Sequence, residues 1–232
     1  MRFASRLLLV TSLGAIFATV AAPSLVAQQP AAVVQSTHML PRAHAHNDYL
    51  HDQPLLDALA QGFGSVEADI FLVDGELQVA HTRSELSAAR TLQTLYLEPL
   101  KQCIAQNQGS VYGDGRTFTL LIDIKTDAEA TYNVLHHLLA HYSQILTHFE
   151  DDREQAGAVA AIISGNRPLE LIRQTSPRFA SIDGRLSDLD SQLHPLPILP
   201  SLMPLISDNW GLHFSWSGRG AFPAAERQKL QD

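Results

Sequence analysis

Between Arg42 and Leu86 the chain concentrates side chains that bind a hard cation or move protons. His44, His46, Asn47 and Asp48 end one apolar-flanked run, Glu67 and Asp69 alternate along a second, and His81 ends a third. Glu67 and Asp69 stand two apart, and in a strand period two puts both on one face. Two carboxylates on a buried face repel each other and are costly to bury unless a cation joins them. Oxygen ligands of this kind suit Mg2+ or Ca2+ rather than zinc. Asp123, at the end of a later apolar run, offers a third carboxylate, and Asn47 offers an amide oxygen. A solvated pair on an edge strand is the competing reading. Periodicity leaves it open, because Val66 and Ile70 only show that the opposite face is apolar.

Histidine titrates near neutrality, so His46 and His81 could divide the work of acid and base. The chain has 11 histidines, and position separates these two, each at a strand end near the acidic pair. His44 shares a face with His46 and reads as its buttress. His136, His137, His141 and His148 lie on or just after one helix and read as packed or solvated.

Behind these residues the pattern alternates strand and helix. Strands are expected at 39–45, 65–72 and 76–80, the last two joined by the Asp74-Gly75 turn signal. Further strands are expected at 118–125, 158–163, 179–182 and 205–206. Helices are expected at 54–60, at 92–106, at 128–146 capped by Asp127, at 168–174 and from 222 onward. The strand at 118–125 is nearly all apolar, the pattern of a strand covered on both faces. Polar residues recur where these strands end: His46, Glu67 with Asp69, Asp123 with Lys125, Asn166, Asp183 and Asp208. A series of polar C-terminal strand ends favours a TIM barrel over a doubly wound sheet.

The 232 residues allow one large domain, and 45% hydrophobic residues suit a globular one. A formal net charge of −8 argues against a nucleic-acid partner, which normally meets a basic surface. Arg2 and Arg6 precede an apolar run from Leu7 to Val20, with small residues at Ala22 and Ala27 where a signal peptidase could cut. Residues 1–27 are therefore expected to be an export signal and 28–38 a linker, followed by the domain at 39–232. The apolar run is short for a membrane span and Pro23 interrupts it, so a periplasmic or secreted product with no stable span is expected. Cys103 is the single cysteine, which excludes an intramolecular disulfide and fits a small buried hydrophobe.

His46-Asn47-Asp48-Tyr49-Leu50 resembles the His-Asn-Thr-Tyr-Leu motif of phosphoinositide-specific phospholipases C. Val66-Glu67-Ala68-Asp69, followed by Asp74-Gly75 and His81, resembles both that family and the glycerophosphodiester phosphodiesterases. Ile122-Asp123-Ile124-Lys125 is similar to the Ile-Glu-Ile-Lys strand of the latter, with Asp in place of Glu. The segments His44–Tyr49, Val66–Asp69, Asp74–Leu77, Ser207–Trp210 and Phe214–Trp216 most resemble the branch named after altered inheritance of mitochondria protein 6. The resemblance implies a TIM-barrel phosphodiesterase acting on a glycerophosphodiester or a phospholipid-type head group, either a small molecule or a lipid. It implies that Asn47, Glu67, Asp69 and Asp123 hold Mg2+ or Ca2+, that His46 and His81 are the acid–base pair, and that Lys125 binds a phosphate oxygen. The phosphodiesterase motif His-Arg-Gly is replaced here by His46-Asn47-Asp48, so a glycerol head group does not follow from it.

Two other readings stand beside this one. A decayed barrel could bind without catalysis, and His44-Ala45-His46 could open a metal-dependent amidohydrolase of the zinc type. The later strand ends, with Asp123, Asn166 and Asp183, lack the further histidines that the amidohydrolase would need. A barrel has eight βα units, typically in ~250 residues. About six are legible here, so a C-terminally truncated barrel is the expectation.

Overall fold

The structure, a computed structural model, describes residues 38–151, 153–189 and 198–231. The expected export signal and nearly all of the expected linker lie outside the described residues.

Among the described residues, nine strands form in chain order: β1 (Leu40–Ala45), β2 (Phe63–Val73), β3 (Glu76–Val79), β4 (Phe118–Ile124), β5 (His148–Glu150), β6 (Arg153–Gln155), β7 (Val159–Gly165), β8 (Ser181–Gly184) and β9 (Leu205–Ile206). The helices are α1 (Leu56–Ala60), α2 (Glu98–Gln106), α3 (Ala128–Ala140), α4 (Leu169–Gln174), α5 (Trp210–His213) and α6 (Ala224–Gln231). The main sheet runs β1-β2-β4-β7-β8-β9, every pair parallel, and β3 folds back antiparallel on β2. Spatial order follows chain order without a reversal. A doubly wound sheet turns back at a switch point, whereas a barrel advances in one direction. The fold is a mixed α/β one whose curled parallel sheet has the form of half a barrel.

Sequence explains most of these elements directly. Asp74 (φ 49°) and Gly75 (φ 86°) both occupy the left-handed region, as the two central residues of a type I′ hairpin must, and they return β2 into β3. Asp127 caps α3 by accepting the N–H of Ala130 at 2.9 Å. Cys103 lies buried in α2, in the core.

Two expectations change. The helix expected to reach residue 146 stops at Ala140. Residues 142–146 keep a helical spacing of buried Tyr142, Ile145 and Leu146. They leave the helix because Leu146 bridges to Val159 and the Thr147 N–H bonds the Val159 carbonyl at 2.7 Å. This pairing leads into the unforeseen hairpin of β5 and β6, at the end of the sheet opposite the polar strand ends. The other change is in β4. It alternates buried and half-buried residues instead of being covered on both faces. Phe118, Leu120, Ile122 and Ile124 lie under the helices, while Thr119, Leu121 and Asp123 face the concave side.

The core lies on the helix-facing side, where Val66, Leu120, Ile122, Ile163 and Ile182 are fully buried. Each such side chain contributes about 1.5–3 kcal/mol relative to exposure, which holds the sheet rigid beneath the polar face. No helix among the described residues is long and apolar enough to cross a membrane.

Candidate functional site

Register brings the polar strand ends into one row. Asp69 on β2 is paired with Asp123 on β4, and Asp123 with Ser164 on β7. Paired residues of a parallel ladder point to the same face, so period two places Glu67 and Asp69 on the concave side and buries both, 6% and 1% exposed. The edge-strand alternative therefore does not hold. A carboxylate oxygen from each of Glu67, Asp69 and Asp123 lies within 4.8 Å of the others.

His46 follows β1. Asn47 takes a left-handed turn (φ 52°), a conformation that Asn tolerates better than most residues. That turn brings the Asn47 N–H to the Glu67 Oε2 atom at 3.1 Å and lets His46 Nδ1 bond the same oxygen. His46 is thus held through Nδ1, and its ring remains largely exposed.

Tyr49 is the hub that sequence reading left without a task. Its hydroxyl lies 2.7 Å from Asp69 Oδ2, 2.8 Å from Asn47 Oδ1 and 3.2 Å from His81 Nδ1. Burial pushes the phenol well above its ordinary range, with the bond to Asp69 adding to the effect, so it stays a donor. With its one hydrogen given to Asp69, its oxygen accepts from His81 Nδ1. Both histidines are then oriented through Nδ1 by a buried acid, His46 directly and His81 through Tyr49. The position of Tyr49 two residues after Asn47 was the signal in the sequence. An open cavity of about 420 Å3, lined by Tyr49, His51, Asp52, His81 and Arg90 among others, adjoins this hub.

Lys125 Nζ sits 2.9 Å from Asp123 Oδ2 and 3.1 Å from Asp69 Oδ2. Burial would lower its pKa, but the bonds and charges of the two aspartates outweigh burial and raise it, so the ammonium is charged. Burial pushes Asp123 above the usual carboxylate range, against the pull of Lys125. A cation site fits this donor set on two counts. Asp69 and Asp123 share one ammonium with Glu67 close beside them, and Asp69 Oδ1 and Asp123 Oδ1 are buried with no hydrogen-bond partner. Gly165 keeps that space open: at φ +68°, a Cβ there would stand 2.0 Å from Asp123 Oδ1.

Asp48 departs from the opening cluster. It is fully buried and accepts the Leu55 N–H at 2.6 Å and the Tyr96 hydroxyl at 3.0 Å. Burial raises its pKa. It anchors the turn into α1, where Leu55 adopts an unfavourable φ of 65°, and so it serves the fold. Asn166 donates to the Thr126 carbonyl at 2.7 Å, a loop contact.

The description "AIM6-like phosphodiesterase domain" matches residues 34–183. The chain is 33% identical over 187 residues to Altered inheritance of mitochondria protein 6 of Lachancea thermotolerans, covering 71% of this chain and 44% of that protein. It is 32% identical over 190 residues to the homolog from Arthroderma benhamiae, covering 71% and 60%. It is 28% identical over 217 residues to the Saccharomyces cerevisiae protein of the same name, covering 79% and 55%. The chain thus spans about half the length of the curated relatives it matches. No solved structure matches it significantly. The motifs that line the concave face fall within the matched span, and the chain belongs to the AIM6-like phosphodiesterase family.

Proposed function

We propose that the protein cleaves a phosphodiester with the help of a divalent cation. One observation carries the reading: Glu67, Asp69 and Asp123 converge at the strand ends beside two histidines oriented through Nδ1. Glu67, Asp69 and Asp123, with the Asn47 amide oxygen, would hold Mg2+ or Ca2+. Such an ion, when bound, neutralises charge building on phosphorus and acidifies an attacking hydroxyl. His46 and His81, with Nε2 free to meet substrate, accept a proton from the nucleophile and deliver one to the leaving alkoxide. Lys125 supplies positive charge where a phosphoryl oxygen would lie.

The substrate in this reading is a glycerophosphodiester or phospholipid-type head group, as a small molecule or a lipid. The acidic balance of the chain disfavours nucleic acid. The architecture in this reading is a TIM-barrel phosphodiesterase with about six consecutive βα units, supported by a strand order that never reverses. Residues 1–27 would direct the product to the periplasm or outside the cell.

Hydrolysis of bis(p-nitrophenyl) phosphate with Mg2+, with Ca2+ and with EDTA tests the reaction class. A panel of phosphodiester head groups then assigns the substrate. Turnover that needs the divalent ion is expected, and no turnover of any diester under any of these conditions would overturn the reading.

A further inference from the structure

His44 is the histidine that the proposed reaction leaves without a task. It lies in β1, two residues before His46, which begins the turn that follows the strand. A ring nitrogen of His44, a ring nitrogen of His46 and a carboxylate oxygen of Glu67 lie within 4.8 Å of one another. The Nδ1 atom of His44 is 2.8 Å from Ser65 Oγ, a bond that orients the ring and leaves its other nitrogen for coordination. Histidines that bind metal are usually held in this manner. Glu67 is fixed in turn by the Asn47 N–H.

Two imidazoles and one carboxylate differ in chemistry from the three carboxylates beyond them. Nitrogen-rich sets of this kind select Zn2+ and similar borderline ions, whereas all-oxygen sets select Mg2+ and Ca2+. His44 and His46 are exposed, so an ion reaches them from solvent and completes its shell with water.

We propose that His44, His46 and Glu67 form a second metal site, for Zn2+ or a similar ion, whose occupation blocks phosphodiester cleavage. The blocking rests on the function proposed above, because it uses the same His46 and Glu67. A nitrogen lone pair of His46 given to the metal no longer accepts a proton. A Glu67 oxygen given to it is withdrawn from the neighbouring carboxylate site. A buttressing role for His44 would produce neither effect.

The test uses the full chain as wild type, His44→Ala and Asp123→Asn. Zn2+ affinity is measured by calorimetry, and Co2+ binding by its visible ligand-field spectrum. Wild type and Asp123→Asn should bind Zn2+ alike. His44→Ala should bind it at least ~10-fold more weakly, with an unchanged circular dichroism spectrum and unchanged Mg2+ or Ca2+ affinity. With saturating Mg2+ or Ca2+, Zn2+ should inhibit the wild type. His44→Ala should keep its basal rate and need at least ~10-fold more Zn2+ for the same inhibition. Absence of Zn2+ binding to the wild type overturns the site. So does equal binding by wild type and His44→Ala, or binding lost in Asp123→Asn alone. If no diester is cleaved, the function falls while the binding measurements still decide the site. If diesters are cleaved and His44→Ala is equally sensitive to Zn2+, this inference alone falls.

Discussion

Two acidic ends of the same sheet are neutralised in different ways. On β8, Asp183 is buried and its Oδ2 atom accepts from Ser164 Oγ at 2.8 Å, Ser207 Oγ at 2.7 Å and the Arg185 guanidinium at 2.6 Å. One carboxylate faces one guanidinium and two hydroxyls, all at Oδ2, so its charge is matched one to one although its Oδ1 atom is buried without a partner. On β2 and β4, Glu67, Asp69 and Asp123 crowd together with a single ammonium from Lys125. Clustered carboxylates with too few cations are a poor device for stability and a good one for holding an added cation. At the β8 end the charges are matched one to one, whereas at the β2–β4 end the carboxylates outnumber the ammonium between them.

The strongest way to break this contrast is to remove a carboxylate from the crowded end. Glu67→Ala and Asp69→Ala should each reduce divalent-ion affinity by more than the ~10²-fold that the loss of an outer partner costs, and abolish activity with the fold intact. Calorimetric titration with Mg2+ and Ca2+ checks this, and unchanged affinity in both variants would remove the assignment.

The histidines come next. His46→Ala and His81→Ala should each lose at least ~10²-fold in kcat, while Mg2+ or Ca2+ affinity stays close to that of the wild type. Steady-state kinetics decides it, and a fully active His81→Ala enzyme would end the role of His81.

Stability without metal sharpens the comparison from the other side. Asp183→Ala leaves the partly buried Arg185 without its carboxylate and should cost about 2 kcal/mol in urea denaturation. In EDTA, Asp123→Asn should be neutral or stabilising, because it removes one of three repelling charges. Destabilisation of equal size in both variants would show that the two ends are built alike.

The smallest effect is one of pH. Burial raises the Asp123 pKa from an ordinary 3.8, so the folded apoprotein binds that proton more tightly than the unfolded chain. The resulting stabilisation is complete below 3.8 and is lost as pH rises through the raised value. In EDTA, the Tm of the wild type should fall below that of Asp123→Asn at neutral pH and approach it on acidification. A Tm difference that does not change with pH would show that Asp123 is not perturbed.

Much of the fold was legible because its signals are local. Asp74-Gly75 announced a hairpin that needs two positive φ angles, Asp127 announced a helix start, and polar residues closing apolar runs marked the strand ends that share one side of the sheet. The end of α3 was not legible. Tyr142, Ile145 and Leu146 carry helical spacing, and only the pairing of Leu146 and Thr147 with Val159 draws the chain out of the helix.

The candidate site divides in the same way. Sequence alone determined that Glu67 and Asp69 share a face, because side-chain alternation in a strand is a property of the backbone. It also marked His46, His81, Asp123 and Lys125 as strand-end residues. Tertiary structure decided which face is concave, and it alone set the register that pairs Asp69 with Asp123 and carries Lys125 to both. It also separated neighbours that the sequence could not rank. Asp48 turned inward to hold Leu55 and Tyr96, while Tyr49 became the link between Asn47, Asp69 and His81. The physical reason is distance along the chain. A dihedral preference or a side-chain period acts over a few residues, whereas these contacts join different strands and exist only once the sheet has assembled.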